Sequence, residues 1–207
     1  MANLQFLRQH WEMCFDGIAP QNIYDDLLKR YSEPHRAYHT AQHLNECFQH
    51  LDAAADLAAD SRDLGLALWF HDAIYDTSKN DNEVRSADLA RQSLVGRSPT
   101  SVDRIAALVL ATKHDAIPLE PDAKLLVDID LSILGASPER FDEYERQVRF
   151  EYKAVPEVAF REGRTRILMK FLERNAIYST EFFHKNLENG ARENLTRSIE
   201  ALKKTGS

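Results

Sequence analysis

With 207 residues, 43% hydrophobic and 29% charged, the chain has an ordinary soluble globular balance, long enough for one well-packed domain with a helical extension. A formal charge of -7 argues against an extended nucleic-acid face, which would be basic, but leaves room for a small phosphorylated ligand held by a few local Arg and Lys residues. No apolar run approaches the roughly 20 residues needed to span a bilayer, so no membrane association is expected.

The opening Met1-Ala-Asn-Leu-Gln-Phe-Leu-Arg-Gln-His10 lacks a basic region followed by a long apolar stretch, so no signal peptide is expected. The two cysteines, Cys14 and Cys47, form neither a disulfide framework nor a CxxC zinc pattern, and the chain reads as reduced and cytoplasmic. Apolar residues then recur at three- and four-residue spacing, the signature of helices. Leu4, Leu7, Trp11 and Phe15 make one face. Ile23, Leu27, Leu28 and Tyr31 make the next, stopped near Ser32-Glu-Pro34. Leu44, Phe48 and Leu51 continue a helix expected from about Tyr38. Leu64 to Tyr75 and Glu83 to Leu94 come after it, divided by the polar Thr77-Ser-Lys-Asn-Asp81. Ser101 to Thr112 is next, and Asp122 to Leu134 reads as buried and ends at Gly135. Ser137-Pro138 has the form of an N-cap with proline at the first helical position, opening a helix through Phe141, Tyr144, Val148 and Tyr152. Pro156 starts another through Ile167, Phe171 and Leu172, and Glu181 to Lys204 is the last. The expected fold class is all-α.

Three clusters carry chemistry. His39 and His43 are four apart and would share a helix face, either as surface histidines or as a metal ligand with a neighbouring proton donor. His71-Asp72 sits in the apolar run Leu64-Gly-Leu-Ala-Leu-Trp-Phe-His-Asp-Ala-Ile-Tyr75, where an imidazole and a carboxylate are costly without a partner such as a divalent metal. Asp128 and Asp130 place two carboxylates in a strongly apolar helix. One is the natural fourth ligand; the other is a cap or a partner to a ligating histidine.

In this order the clusters resemble the HD superfamily of metal-dependent phosphohydrolases, with its His, His-Asp, Asp signature, over about residues 35 to 135. The resemblance implies His43, His71, Asp72 and Asp130 as metal ligands. Tyr38-His-Thr-Ala-Gln-His43 is similar to the Tyr-His-Asn-x-x-His segment of cyclic-nucleotide phosphodiesterases, which implies His43 as ligand and His39 as general acid. Asp130-Leu-Ser132 and Val109-Leu-Ala-Thr112 also look like segments of those enzymes, and the first favours Asp130 over Asp128. The chain lacks their length and glutamine-bearing purine clamp, so cyclic nucleotides are not the expected substrates. His71-Asp-Ala-Ile-Tyr-Asp76 resembles the His-Asp-x-x-Glu-Asp motif of bacterial guanosine-tetraphosphate hydrolases, with Tyr75 in place of Glu and Asp76 keeping the second acid. The overall pattern resembles small bacterial HD proteins described only as phosphohydrolases.

The resemblance further implies a single HD-domain-like bundle of roughly eight to ten helices over residues 1–207. Its metal-site core would be about 35–135 and its helical extension about 138–204. The expected reaction is hydrolysis of a nucleotide or other small phosphate ester by attack of metal-bound hydroxide. His39 would protonate the leaving oxygen, and Asp76 or Glu83 would orient the water. The ion would be Mn²⁺, Mg²⁺, Fe²⁺ or Ni²⁺, since mixed N/O ligation does not select one; Asp72 could bridge two ions, with His114 helping the second. Arg36 is the expected phosphate clamp, joined by Lys113 and His114, which otherwise serve as a cationic pair at a helix C-terminus. Arg149, Lys153 and Arg164 form a second basic group. Tyr75 could line a base pocket, and His10, His50 and His184 read as surface or packing histidines. The competing reading is a metal-containing HD-domain ligand sensor with little activity. A homodimer is compatible with either.

Overall fold

The computed structural model describes residues 2–204, which contain ten α-helices, two short 3₁₀ helices and no strand. The all-α expectation holds. None of the helices is long and apolar enough to cross a membrane. The chain divides into two compact units, one ending at Asp130 and the other beginning at Leu131.

The first unit holds α1 (Leu4–Met13), α2 (Gln21–Arg30), α3 (Ala41–Ala53), α4 (Ser61–Phe70), α5 (Asn82–Ser93), α6 (Pro99–Ala111) and α7 (Pro121–Asp130), with a 3₁₀ turn at Ala55–Leu57. Helix α4 is its centre, in contact with α1, α3, α5, α6 and α7. Every residue from Asp63 to Phe70 is buried, as a helix apolar on all sides must be. Trp69 receives Trp11 edge-on at 5.5 Å, Tyr24 at 5.5 Å and Phe48 at 5.7 Å. Each such buried side chain contributes about 1.5–3 kcal/mol. Gly65 lets α1 come close, because a Cβ there would lie 2.9 Å from Cys14 Sγ.

The chemistry of the helix ends explains where the boundaries depart from periodicity. Thr40 is extended (φ -122, ψ 179) and its side chain accepts from the Gln42 amide, so α3 starts at Ala41, not near Tyr38. Helix α4 stops at Phe70 with His71 as its C-cap, so residues 72–75 lie in a turn that the apolar pattern reads as helix. Ser98-Pro99 opens α6 with the same cap-and-proline pattern as Ser137-Pro138, two residues before the expected Ser101. The expected helix to Leu134 is α-helical only to Asp130 and tightens to a 3₁₀ segment over Leu131–Gly135.

The second unit contains that segment, α8 (Pro138–Glu151), α9 (Glu157–Leu172) and α10 (Glu181–Lys204). The three basic residues singled out from its sequence make contacts within the unit. Arg164 is buried against Glu145 and over the Tyr144 ring, and Arg149 pairs with Glu157 and donates to the Tyr152 and Val155 carbonyls. Lys153 lies over Phe150, 4.3 Å from the ring centroid. Asn194 donates to the Leu134 and Ala136 carbonyls, binding α10 to the 3₁₀ segment. The closest approach is at Gly135, where a Cβ would fall 2.6 Å from Leu187 Cβ and 2.7 Å from its carbonyl oxygen. Gly135→Ala is therefore expected to destabilise by about 1–3 kcal/mol through overpacking and to lower Tm by about 2–12 °C. A melt within 1 °C of the parent would show that the contact yields freely.

Candidate metal centre

Four side chains from three segments of the first unit converge. His43 lies in the first turn of α3, His71 caps α4, Asp72 is the next residue, and Asp130 ends α7. Each offers one ligand atom, and all four atoms lie within 4.8 Å of one another. His43 Nε2 is 3.1 Å from His71 Nε2 and 3.2 Å from Asp130 Oδ1. His71 Nε2 is 3.0 Å from Asp72 Oδ2 and 3.6 Å from Asp130 Oδ1, and His43 Nε2 is 3.7 Å from Asp72 Oδ2. Both imidazoles are buried, and the two carboxylates are part-exposed.

This donor set fits a divalent ion. Ligands about 2.1 Å from one ion are about 3.0 Å apart at right angles and about 3.4 Å apart at the tetrahedral angle. The five separations involving a histidine span 3.0 to 3.7 Å. Two ring nitrogens facing each other at 3.1 Å also require a cation or a proton between them. His71 is oriented for the task, because its Nδ1 lies 2.7 Å from the Leu68 carbonyl and must donate to it. That bond leaves the Nε2 lone pair of the neutral ring turned into the cluster. Asp130 is held by His114, whose Nε2 lies 3.0 Å from its second oxygen.

The charges respond to one another in the absence of an ion. Burial lowers the His71 pKa, but Asp72 and Asp130 outweigh it and hold the imidazole well above its ordinary range. Burial raises the Asp72 carboxyl, and the His71 and His39 charges more than reverse this. Asp130 likewise ends well below the usual carboxylate range, with burial opposed by hydrogen bonds from His114, His43 and His71. A proton on His71 and a divalent ion therefore compete for the same place.

A second group, His43, Cys47 and His71, also brings ligand atoms within 4.8 Å. Cys47 Sγ is 3.6 Å from His43 Nε2 and 3.7 Å from Nδ1. Near-equal distances put the sulfur against the His43 ring itself, away from the Nε2 lone pair. Burial raises the Cys47 thiol well above its ordinary range, as it does Cys14, pushed up to about 12. Only the thiolate is nucleophilic, so neither cysteine should react with iodoacetamide at pH 8 until the chain is denatured. Mass spectrometry showing an adduct on the folded protein would contradict this.

The other residues singled out from the sequence fall into place differently. His39 precedes α3, so the shared helix face with His43 is not what relates them; their ring centroids are 6.1 Å apart. It stacks on Tyr75 at 3.9 Å, which gives that face of Tyr75 to an imidazole instead of a base. Arg36 is not a phosphate clamp. Its side chain is fully buried and donates to Glu33 and to the carbonyls of His39, Asp72 and Ala73, at 2.9, 3.2, 2.6 and 3.1 Å. Asp76 faces its own loop, accepting from the Ser78 amide and hydroxyl, which lowers its pKa and weakens it as a base. Glu83 lies in the first turn of α5, outside the four-residue group, and its charge acts on Lys113. Lys113 is exposed and paired with Asp115 at 2.9 Å. His114 reaches the centre through Asp130, from a left-handed backbone conformation (φ 57) just beyond α6. Asp128 is wholly buried and outside the group; two positions along a helix turn it some 200° from Asp130.

Sequence reasoning missed two supports. The Leu68 carbonyl was within reach, since a histidine capping a helix lies one turn beyond it. The Arg36 links to Asp72 and Ala73 span 36 and 37 residues and leave no local signal. No family model, curated protein or solved structure matches the chain.

Proposed function

We propose that the chain is a metal-dependent phosphohydrolase of the HD superfamily acting on a nucleotide or other small phosphate ester. The supporting observation is the convergence of His43, His71, Asp72 and Asp130 on one point, in the order of the HD signature. A divalent ion, when bound, acidifies a water and offsets charge on phosphate oxygens. The two imidazoles and two carboxylates would hold it, and this mixed set suits Mn²⁺, Mg²⁺, Fe²⁺ or Ni²⁺. His71 keeps one tautomer through Leu68, and His114 fixes the free oxygen of Asp130. His39, beside the cluster and electrostatically linked to Asp72, delivers a proton to the leaving oxygen.

The test is metal analysis of the purified protein, followed by assay of aryl phosphate mono- and diesters and a nucleotide panel with each candidate ion. Near-stoichiometric metal and ion-dependent turnover, lost on chelation, are expected. No bound ion after reconstitution would sink the reading. Tight nucleotide binding without turnover would favour a regulatory sensor in its place.

A further inference from the structure

Two segments far apart in sequence are locked together beside the metal centre. Residues 33–40 contribute Arg36 and His39, and residues 71–76 contribute the His-Asp pair and Tyr75. Arg36 donates to the carbonyls of His39 and Asp72, so one guanidinium fixes both backbones. His35 Nε2 lies 2.9 Å from the Tyr75 carbonyl, a second tie between them. The Tyr75 end is anchored from behind as well. Ile74 donates to Ser86 Oγ, and Asp76 and Asn82 exchange two hydrogen bonds. On this frame the Tyr75 ring lies against the His39 ring, centroids 3.9 Å apart and planes inclined by 27°. Tyr38 meets the same imidazole edge-on at 4.9 Å.

We infer that Tyr75 is a positioning residue for His39, setting the imidazole's angle and distance to the metal centre through the stacked pair. This rests on the reading of His39 as proton donor in a phosphohydrolase. A donor on an irregular segment has no helix to orient it, and proton transfer requires hydrogen-bond reach to the leaving oxygen. The flat face of Tyr75 restricts the imidazole to one plane, while Arg36 and Tyr38 limit its travel. The stack needs only an aromatic ring, so phenylalanine should preserve it.

The mechanism has a signature that loss of general stability would not imitate. A positioned donor matters most when the leaving group is poor and least when it is good. Tyr75→Leu is therefore expected to lower kcat on phenyl phosphate esters about 10-fold or more, and on 4-nitrophenyl phosphate esters by less than about threefold. Tyr75→Phe should stay within about threefold of the parent on both. Metal content should be equal in all three proteins. Independently of turnover, NMR of histidine-labelled protein should show the His39 ring protons displaced by the aromatic ring current in the parent and Tyr75→Phe, and restored toward ordinary values in Tyr75→Leu.

Equal loss on both esters, or none in Tyr75→Leu, would overturn the positioning role. So would a His39 resonance that ignores Tyr75→Leu, whatever the activity. A parent protein with the ring-current shift and bound metal that hydrolyses no ester would instead defeat the reaction itself, and Tyr75 would have no proton transfer to serve.

Discussion

Asp72→Ala is expected to strip the divalent ion from the protein and cut ester turnover by about 10³-fold or more, with the helical circular dichroism unchanged. Asp72 supplies one of only two anionic oxygens in the four-residue group, 3.0 Å from His71 Nε2 and 3.7 Å from His43 Nε2. Its loss leaves two neutral donors and a single carboxylate for a doubly charged ion. The helices should survive the change, because the carboxylate lies beyond the end of α4 and the Asp72 backbone stays tied to Arg36 through its carbonyl. A binding measurement separates the metal from the chemistry. An ion at about 100 times its Kd adds roughly 2.7 kcal/mol to the folded state, which raises Tm by about 5–10 °C for a chain of this size. The parent should show that rise on adding metal and Asp72→Ala should not. An equal rise in both would place the ion elsewhere.

The second large effect belongs to Arg36. Arg36→Met is expected to destabilise by about 3–5 kcal/mol, because the carbonyls of His39, Asp72 and Ala73 lose a charged donor at once, each such loss costing about 1–3 kcal/mol. The His39, Asp72 and Ala73 carbonyls and the Glu33 carboxylate all lose a donor together. Methionine keeps much of the volume against Tyr31 and Tyr75, so the loss reports on polar contacts rather than on a cavity. Arg36→Lys retains the charge but not the planar fork, and should recover less than half of the deficit. The measurement is thermal or urea unfolding, with Tm falling by about 6–20 °C in Arg36→Met. Unfolding indistinguishable from the parent would mean that the segments hold without the guanidinium.

Arg36 also marks where a sequence can and cannot be read. The helices were legible from apolar spacing for α1 to α10, and the three clusters from histidines and acids placed where burial would be costly; that His43 and Asp130, not His39 and Asp128, join the converging group followed only from the family resemblance. Boundaries failed where capping overrode periodicity. Thr40 starts α3 three residues beyond Tyr38, and α4 stops at its C-cap His71 although the apolar pattern runs on to Tyr75. The roles of charged residues failed for a different reason. Arg36 one turn before a histidine motif looks available for phosphate, and only the fold shows three carbonyls converging on it. Asp76 likewise comes soon after the His-Asp pair, yet Ser78 turns its carboxylate back on the loop. Residue type announces what a side chain can bind; the partner that reaches it first is a property of the packing.

His114 holds a left-handed backbone at φ 57 and a hydrogen bond to Asp130. For a side chain with a Cβ that conformation costs about 1–2 kcal/mol, and glycine would adopt it freely. A chain selected for stability alone would accordingly carry glycine at 114 and give up the imidazole. Fold and centre thus pull this position toward different residues. His114→Gly should raise the melting temperature of the metal-free protein while loosening its grip on the ion, two changes of opposite sign from one substitution.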